Sequence, residues 1–580
     1  MEAHGSVVVA RSLVLSCGLA LPLMLAGQAA AVISSGASGF NGVDLNTYLG
    51  ANAYYALGLT GTRTRIGNLE AGHVWNGHNA TIGSNISYFT PTGAAFAPTP
   101  TFPANTPNYD FHATMVGSIM VGSPGTDPVQ RGIAYGSSLL STNIAISFTG
   151  TGNFLGSFTT NTNTILLPAL NRTWRTGAGI GGTVDVHNSS WGSAATANAN
   201  GTLRVIAEDA LIYDSRKVVV WSAGNSGPGA GTVGDPAIAK NNIAVGALTG
   251  QSDAIPYNTI ASFSSRGPEN FFLANAPQAG VVIAGVRAPV DISAPGDTMT
   301  MAAYLGRSGG NLNNPVNSLV TNNYFINNAG TSFAAPIVTG AAALVVDAAR
   351  AYGYAQGTDG RVVKAILMNA ADKTGGWTNN ATNIAGVNTT TQGIDWAYGA
   401  GRVNMTTGLR QQTAGTTDVP GMGGGNVFQT GWDFGTATQG APNRYQIDSD
   451  VLFGHTFTAT LSWWAREVLD FNLLTTASAQ FGAQDRLTLQ LFRGETTNLG
   501  AAVLVAESIS TYNLNQHINF TIPQTGKYFV QVNWSQNLYN LIAKGSNEDF
   551  GLAWRTTVPT PGAATLAAFA GLFAARRRRR

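Results

Sequence analysis

Charge is scarce in this 580-residue chain: Lys and Arg total 31 and Asp and Glu 29, together 10% of the residues. The formal net charge is +2, and five arginines form one run, Arg576 to Arg580. Such near-neutrality gives no case for a nucleic acid or an acidic partner. Cysteine is scarcer still. Cys17, in the apolar opening segment, is the only one, so neither a disulfide framework nor thiol chemistry is available beyond that segment. Also missing is an uninterrupted apolar run at either end of the ~20 residues that a bilayer-spanning helix needs. No acidic loop of the EF-hand kind is written. What the chain has in quantity is glycine, 71 residues, and short apolar runs between polar turns.

The two ends read as addresses. "MEAHGSVVVARSLVLSCGLALPLMLAGQAAAVISS" combines one Arg, an apolar run of signal length and small residues suited to cleavage after Ala30 or Ala31. Residues 1–31 are therefore expected to be a signal peptide. "VPTPGAATLAAFAGLFAARRRRR" places a turn, thirteen small or apolar residues from Ala563 to Ala575, and then the arginines. That order, over 556–580, resembles the PEP-CTERM sorting tails of Gram-negative bacteria, with Thr560 where that family has Glu. The resemblance implies processing by an exosortase-like membrane enzyme, transient membrane association through the tail, and a place at the cell surface or in the extracellular matrix.

Between the ends the texture changes once. From residue 32 to 411, buried-strand patterns such as "TRIGNLE", "LLSTNIAIS", "VVVWSAGN" and "VDISAPG" are interspersed with helix-length segments such as "NGTLRVIAEDALIYDS" and "FAAPIVTGAAALVVDAARAYG". Strands and helices in this succession predict an α/β fold, a doubly wound and mostly parallel sheet with helices on both faces. Sites in such sheets gather at the carboxyl ends of the strands. Residues 412–428 are a Gly-rich linker. Short alternating strands over 429–555, among them "HTFTATLSW" and "KYFVQVNW", predict an antiparallel β-sandwich.

Four residues in chain order carry the chemistry. A serine hydroxyl is a poor nucleophile until a base takes its proton, and the base needs a carboxylate to fix its tautomer. Developing negative charge on the substrate oxygen also needs donors. The chain offers Glu70 at a strand end, His112 opening "HATMVGSIMVG", Asn225 in "AGNSGPG", and Ser332 in "GTSFAAP". On local pattern alone Ser332 reads as a helix cap. In this order, residues 45 to 410 resemble a subtilisin-like serine protease. "GTSFAAPIVTGAAAL" is similar to the family's serine motif, with Phe333 replacing Met; "VVVWSAGNSGPG" resembles the segment presenting the oxyanion asparagine; "HATMVGSIMVG" is similar to the histidine motif, with Ala113 for Gly and Met115 for the second His.

The resemblance implies a secreted or cell-surface serine endopeptidase acting on protein or peptide substrates. Ser332 is then the nucleophile, His112 the base, Asn225 the oxyanion donor, and "NSSWG", through Ser190, Trp191 and Gly192, the strand that holds extended substrate. The first motif departs from the family: Asn68-Leu69-Glu70-Ala71-Gly72 stands where an aspartate is written. The extra methylene moves the carboxylate by ~1 to 1.5 Å on a fixed backbone, enough to cost about 100-fold in rate if nothing compensates. An alternative stays open, a catalytically impaired homologue acting as a matrix or adhesion protein. Asp110, two residues before His112, is expected to cap the following helix. A sedolisin-like site also pairs serine with glutamate, but with glutamate in place of His112 and aspartate in place of Asn225, so both positions favour the subtilisin arrangement.

His73 and His78, in the turn after Glu70, are expected at the surface, and His187 in the core or at its rim. Trp191 either lines the specificity pocket or packs at a strand end. No metal ligands are assigned; the resemblance implies calcium as a structural ion only, and no cofactor is needed for the chemistry. The family's folding propeptide has no counterpart in the ~40 residues before Glu70.

Overall fold

Seven of the short apolar runs between residues 65 and 295 become the parallel core of one sheet. The computed structural model describes residues 43–78, 80–94, 109–123, 131–149, 157–195, 201–250, 257–273, 281–302, 304, 320–321, 324–416, 424–472 and 476–558. The expected signal peptide, and all of the sorting tail beyond Val558, lie outside the described residues. Strands β1 (Arg65–Glu70), β2 (Ile86–Phe89), β3 (Ser138–Asn143), β4 (Val186–Ser189), β5 (Val218–Ser222), β6 (Ile243–Thr249) and β7 (Ile292–Pro295) lie in the order β7-β6-β5-β4-β1-β3-β2. Every neighbouring pair along that order is parallel. β4 and β5 are buried at every position, the pattern of strands covered on both faces. From β1 the chain builds β2 and β3 on one side and returns to β4 on the other, so the carboxyl end of β1 is the switch point where a crevice opens.

Two helices deliver side chains to that crevice. Helix α1 (Phe111–Val121) begins at Asp110, whose carboxylate accepts the Ala113 amide at 2.9 Å, the capping arrangement expected of it. Helix α2 (Leu203–Ser215) covers the sheet beside β5. Helix α3 (Thr331–Ala351) is long and apolar enough to cross a membrane by length and composition, yet it is buried inside the fold; an apolar helix with core on all sides has this composition for that reason. Helix α4 (Gly360–Ala370) follows it.

Twelve further strands build a separate C-terminal unit of two sheets. They are β8 (Thr382–Ile384), β9 (Val387–Thr390), β10 (Gly425–Val427), β11 (Thr430–Thr438), β12 (Asn443–Ile447), β13 (Thr456–Trp463), β14 (Arg466–Asn472), β15 (Thr476–Arg493), β16 (Val503–Ser508), β17 (Asn515–Thr521), β18 (Tyr528–Asn540) and β19 (Asn547–Thr557). One sheet runs β8-β9-β16-β15-β18-β12-β10 with β14 on β15, the other β11-β19-β13-β17. The second is antiparallel throughout. The first contains two parallel pairs, β9 with β16 and β10 with β12. Phe457, Trp463, Leu489 and Val530 are among the side chains buried in the unit's core.

The sheet draws strands from both sides of the expected linker. β10 lies inside 412–428, and the hairpin β8–β9 leaves the first region after α4 to pair with β16 in the second. Its sequence, "TNIAGVNTT", is polar and turn-rich, so the pairing comes from the edge offered by β16 rather than from any local strand pattern.

The two units share buried polar contacts. Lys240 Nζ, following the loop after β5, donates to Glu467 Oε1 at 2.7 Å and to the Tyr539 hydroxyl at 2.8 Å, all three side chains buried. Asn241 exchanges two hydrogen bonds with the Ala465 main chain, both 2.8 Å. Removing one partner of a buried ion pair leaves the other charge uncompensated. Lys240→Ala is therefore expected to cost ~3–5 kcal/mol, read as a lowered midpoint in urea denaturation; an unchanged midpoint would contradict this account of the junction.

Candidate active site

Glu70 ends β1 and is buried. Its two oxygens serve two partners: Oε1 accepts the Ser190 amide at 2.9 Å, just past the end of β4, and Oε2 lies 3.0 Å from His112 Nδ1. The methylene that separates glutamate from aspartate is thus absorbed, with both contacts at ordinary hydrogen-bond length. His112 is the second residue of α1, its side chain partly exposed. Burial lowers the imidazole pKa, but the Glu70 charge, the Glu70 hydrogen bond and the Asp110 charge together outweigh it, so the net shift is upward from 6.5. Asp110 is itself pushed up to about 6, chiefly by burial and against the opposing pull of His112. An ionised Glu70 accepts at Nδ1, which puts the proton there and leaves Nε2 as the basic nitrogen of the neutral ring.

Ser332 is the second residue of α3. The helix is capped by Gly330, which has no side chain to offer, so Ser332 is not the cap that its local pattern suggested. Its hydroxyl donates to the Ser190 carbonyl at 2.9 Å. Among the described residues no hydrogen bond joins Ser332 to His112, although the imidazole lies over the start of α3, its ring centroid 6.0 Å from that of Phe333. The Ser190 main chain therefore holds the site at two points, its N–H on Glu70 and its C=O on Ser332. The Ser332 amide belongs to the first helical turn, where N–H groups lack intrahelical partners.

Asn225 sits in the turn after β5. Its Oδ1 accepts from the Thr331 amide at 2.8 Å and the Thr331 hydroxyl at 2.9 Å, and the Thr331 oxygen in turn accepts the Gly224 amide at 3.1 Å. The side-chain oxygen is thereby tied down, which leaves the Nδ2 donors without a protein partner among the described residues. Gly224 has φ +104°, and a Cβ there would lie 2.9 Å from Ser265 Oγ, so the turn requires glycine. Nothing in the sequence singled out Thr331 beyond its place beside Ser332.

A cavity of ≈ 230 Å³ opens between the segment Ser190 to Ala194 and the segment Ser222 to Ser226, and Thr331 and Ser332 also line it. It brings together Ser190, Trp191, Gly192, Asn225 and Ser332, with Glu70 and His112 joined to it by the bonds above. Nothing in the sequence singled out the pair that braces the lining residue Ser193. Arg204 of α2 donates from Nε to Asp235 at 2.6 Å and from Nη2 to Ser193 Oγ at 2.8 Å, and the Ser193 amide donates to the Asp235 carbonyl at 2.7 Å. A Cβ on Gly234 would come within 1.8 Å of the Ser193 carbonyl oxygen, so the two walls touch.

The subtilase family model (Peptidase_S8) matches residues 89–401. The chain belongs to the subtilase family. The match takes in His112, Asn225 and Ser332 and begins after Glu70. Serine protease AprX of Bacillus subtilis (strain 168) is 33% identical over 194 residues, 32% of this chain and 34% of AprX; the chain thus spans about a third of the length of that curated relative. Among solved structures, the prenylagaramide maturation protease PagA is 20% identical with a TM-score of 0.41, covering 63% of this chain and 98% of that one. The self-cleaved protease domain of PatA is 20% identical with a TM-score of 0.38, covering 61% and 97%.

Three further histidines among the described residues of this subtilase, His73, His78 and His187, are not at its surface. His73 and His78 are buried, contrary to expectation, because the turn after β1 folds inward. His73 Nε2 meets Thr90 Oγ1 at 2.8 Å, its ring stands edge-on to Tyr88, and burial lowers its pKa to about 4. His78 Nδ1 accepts the Ala80 amide at 2.9 Å. His187 is a core residue between Trp174 and Trp221, lowered by burial to about 3. Trp191 does both things open to it: it lines the cavity, and it packs on Trp221 at 4.9 Å while donating to the Leu69 carbonyl at 2.9 Å. Among the described residues no group of three or more His, Cys, Asp or Glu side chains could hold a metal ion.

Since the Glu70 charge opposes burial at His112, Glu70→Gln should lower the imidazole pKa below that of the parent. An NMR titration of the His112 ring checks this, and an unmoved or raised value would contradict the assigned cause.

Proposed function

We propose that this subtilase is an exported serine endopeptidase with a Ser332–His112–Glu70 triad. The observation that carries the reading is the 3.0 Å contact of Glu70 Oε2 with His112 Nδ1, which leaves Nε2 to act as base. For the reaction the Ser332 hydroxyl leaves the Ser190 carbonyl for that nitrogen. Oγ then attacks the scissile carbonyl while Nε2 takes its proton; the oxyanion is received by Asn225 Nδ2 and the Ser332 amide. Collapse breaks the C–N bond, with His112 returning the proton to the leaving amine. Water repeats the sequence on the acyl-enzyme, with His112 again base and then acid.

Substrate is held by its backbone. Ser190 has spent its N–H and C=O inside the site, but the main chains of Trp191 and Gly192 carry no hydrogen bond among the described residues, so a strand-like substrate pairs there by β-augmentation. The apolar opening segment supports export. The apolar run with its arginines supports surface sorting, with an exosortase-like enzyme as its processor.

The rival reading, a silent homologue in a matrix or adhesion role, draws on the resting bond of Ser332 to Ser190 rather than to His112. A serine-directed phosphonate, with casein hydrolysis measured in parallel, separates the two. The triad reading expects stoichiometric labelling and hydrolysis, both lost in Ser332→Ala. No labelling of the folded parent would overturn it, and hydrolysis of short acyl esters without casein would make it an esterase.

A further inference from the structure

We propose that the end of the C-terminal unit from which residues 559–580 depart is a face that docks on a lipid bilayer. The three most exposed large apolar side chains among the described residues are Phe428 at 73%, Val558 at 73% and Phe453 at 71%; the next, Ile82, is 59% exposed. All three, with Leu452 at 49%, lie at one end of the unit.

The strand pairing brings them together. Thr557, the last residue of β19, pairs with Thr456, the first of β13, and its hydroxyl donates to the Thr456 carbonyl at 3.3 Å. Val558 follows the one, and Leu452 and Phe453 lead into the other. On the opposite side of β19, Arg555 pairs with Thr430 at the start of β11, and Trp554 Nε1 donates to the Phe428 carbonyl at 2.8 Å. Gln429 Nε2 donates to Ser449 Oγ at 2.8 Å and to the Asp450 carbonyl at 3.1 Å, tying the two loops to each other. The loops are held from beneath as well: the Phe453 amide donates to Thr525 Oγ1 at 2.9 Å, and Val451 and Gly526 exchange main-chain bonds at 2.9 and 3.1 Å. The side chains are exposed on a fixed scaffold, and large apolar side chains exposed together at one end of a unit mark an interaction site.

Chain connectivity identifies the partner. Five residue steps separate Val558 from the apolar run that starts at Ala563, a reach of at most about 18 Å. Whatever apolar phase receives that run is therefore held against the patch. The run is too short to span a bilayer but suits its interface, and Arg576 to Arg580 favour anionic headgroups. The charged groups on the patch loops, Asp448, Asp450 and Lys527, are partly offset by the Lys527–Asp450 pair at 3.5 Å, so attraction by charge falls to the tail and apolar insertion to the patch. Two weak anchors together give the stable attachment that one alone does not.

The test uses the full chain with Cys17→Ser and a single new cysteine carrying an environment-sensitive fluorophore, at Phe453→Cys or, as control, at the exposed Leu57→Cys. Vesicles of mixed phosphatidylglycerol and phosphatidylcholine should sediment both proteins and raise the emission several-fold, with a blue shift, at position 453 only. Sedimentation with no change at 453 would mean that the apolar end segments hold the membrane without the patch. A 453 signal already blue-shifted and indifferent to vesicles would mean that another part of the chain covers the patch. Failure to sediment would exclude the bilayer as partner, and each of these three results overturns the proposal.

Discussion

The buried carboxylate of Glu70 joins three elements that are far apart in the sequence. One oxygen holds the imidazole at the start of α1 and the other holds the amide just past the end of β4, while the carbonyl of that same Ser190 receives Ser332 from the start of α3. The parallel sheet makes this possible because its switch point sets the carboxyl ends of β1 and β4 side by side. The family aspartate is one methylene shorter; here the longer side chain reaches both partners.

Much of this was legible in the sequence because it is local. The serine and asparagine segments carry their small residues at fixed spacing, the β-strand runs are short and apolar, and α3 announces itself by composition. The adequacy of Glu70 was not legible, since the reach of a side chain depends on where the backbone of β1 places it relative to α1. Arg204 and Asp235 were missed for a similar reason: they pair with each other across 31 residues of sequence and hold the lining residue Ser193, and neither belongs to a recognisable motif. His73 and His78 were expected outside because polar residues in a turn usually are; the inward fold of that turn is a tertiary fact. The hairpin of β8 and β9 joins a sheet whose other strands start at Gly425 or later, and nothing in its own composition records that destination.

A chain so poor in charge places several of its ionic groups inside. Lys240 with Glu467, Lys364 with Asp291, and Arg361 with Asp359 are buried pairs at 2.7, 2.8 and 2.9 Å. Desolvation offsets most of what such pairs gain by Coulomb attraction, so their contribution lies in fixing which surfaces meet. The first of them fastens the catalytic half to the C-terminal unit, making the latter a structural neighbour of the active-site sheet.

The central claim is that this site is built around glutamate, with the backbone set so that the longer side chain reaches both His112 and Ser190. Measuring kcat/KM for Glu70→Asp tests it most directly. Restoring the family's own residue should shorten the reach by ~1.5 Å and lower the rate by about 100-fold; activity equal to or above that of the parent would contradict the account.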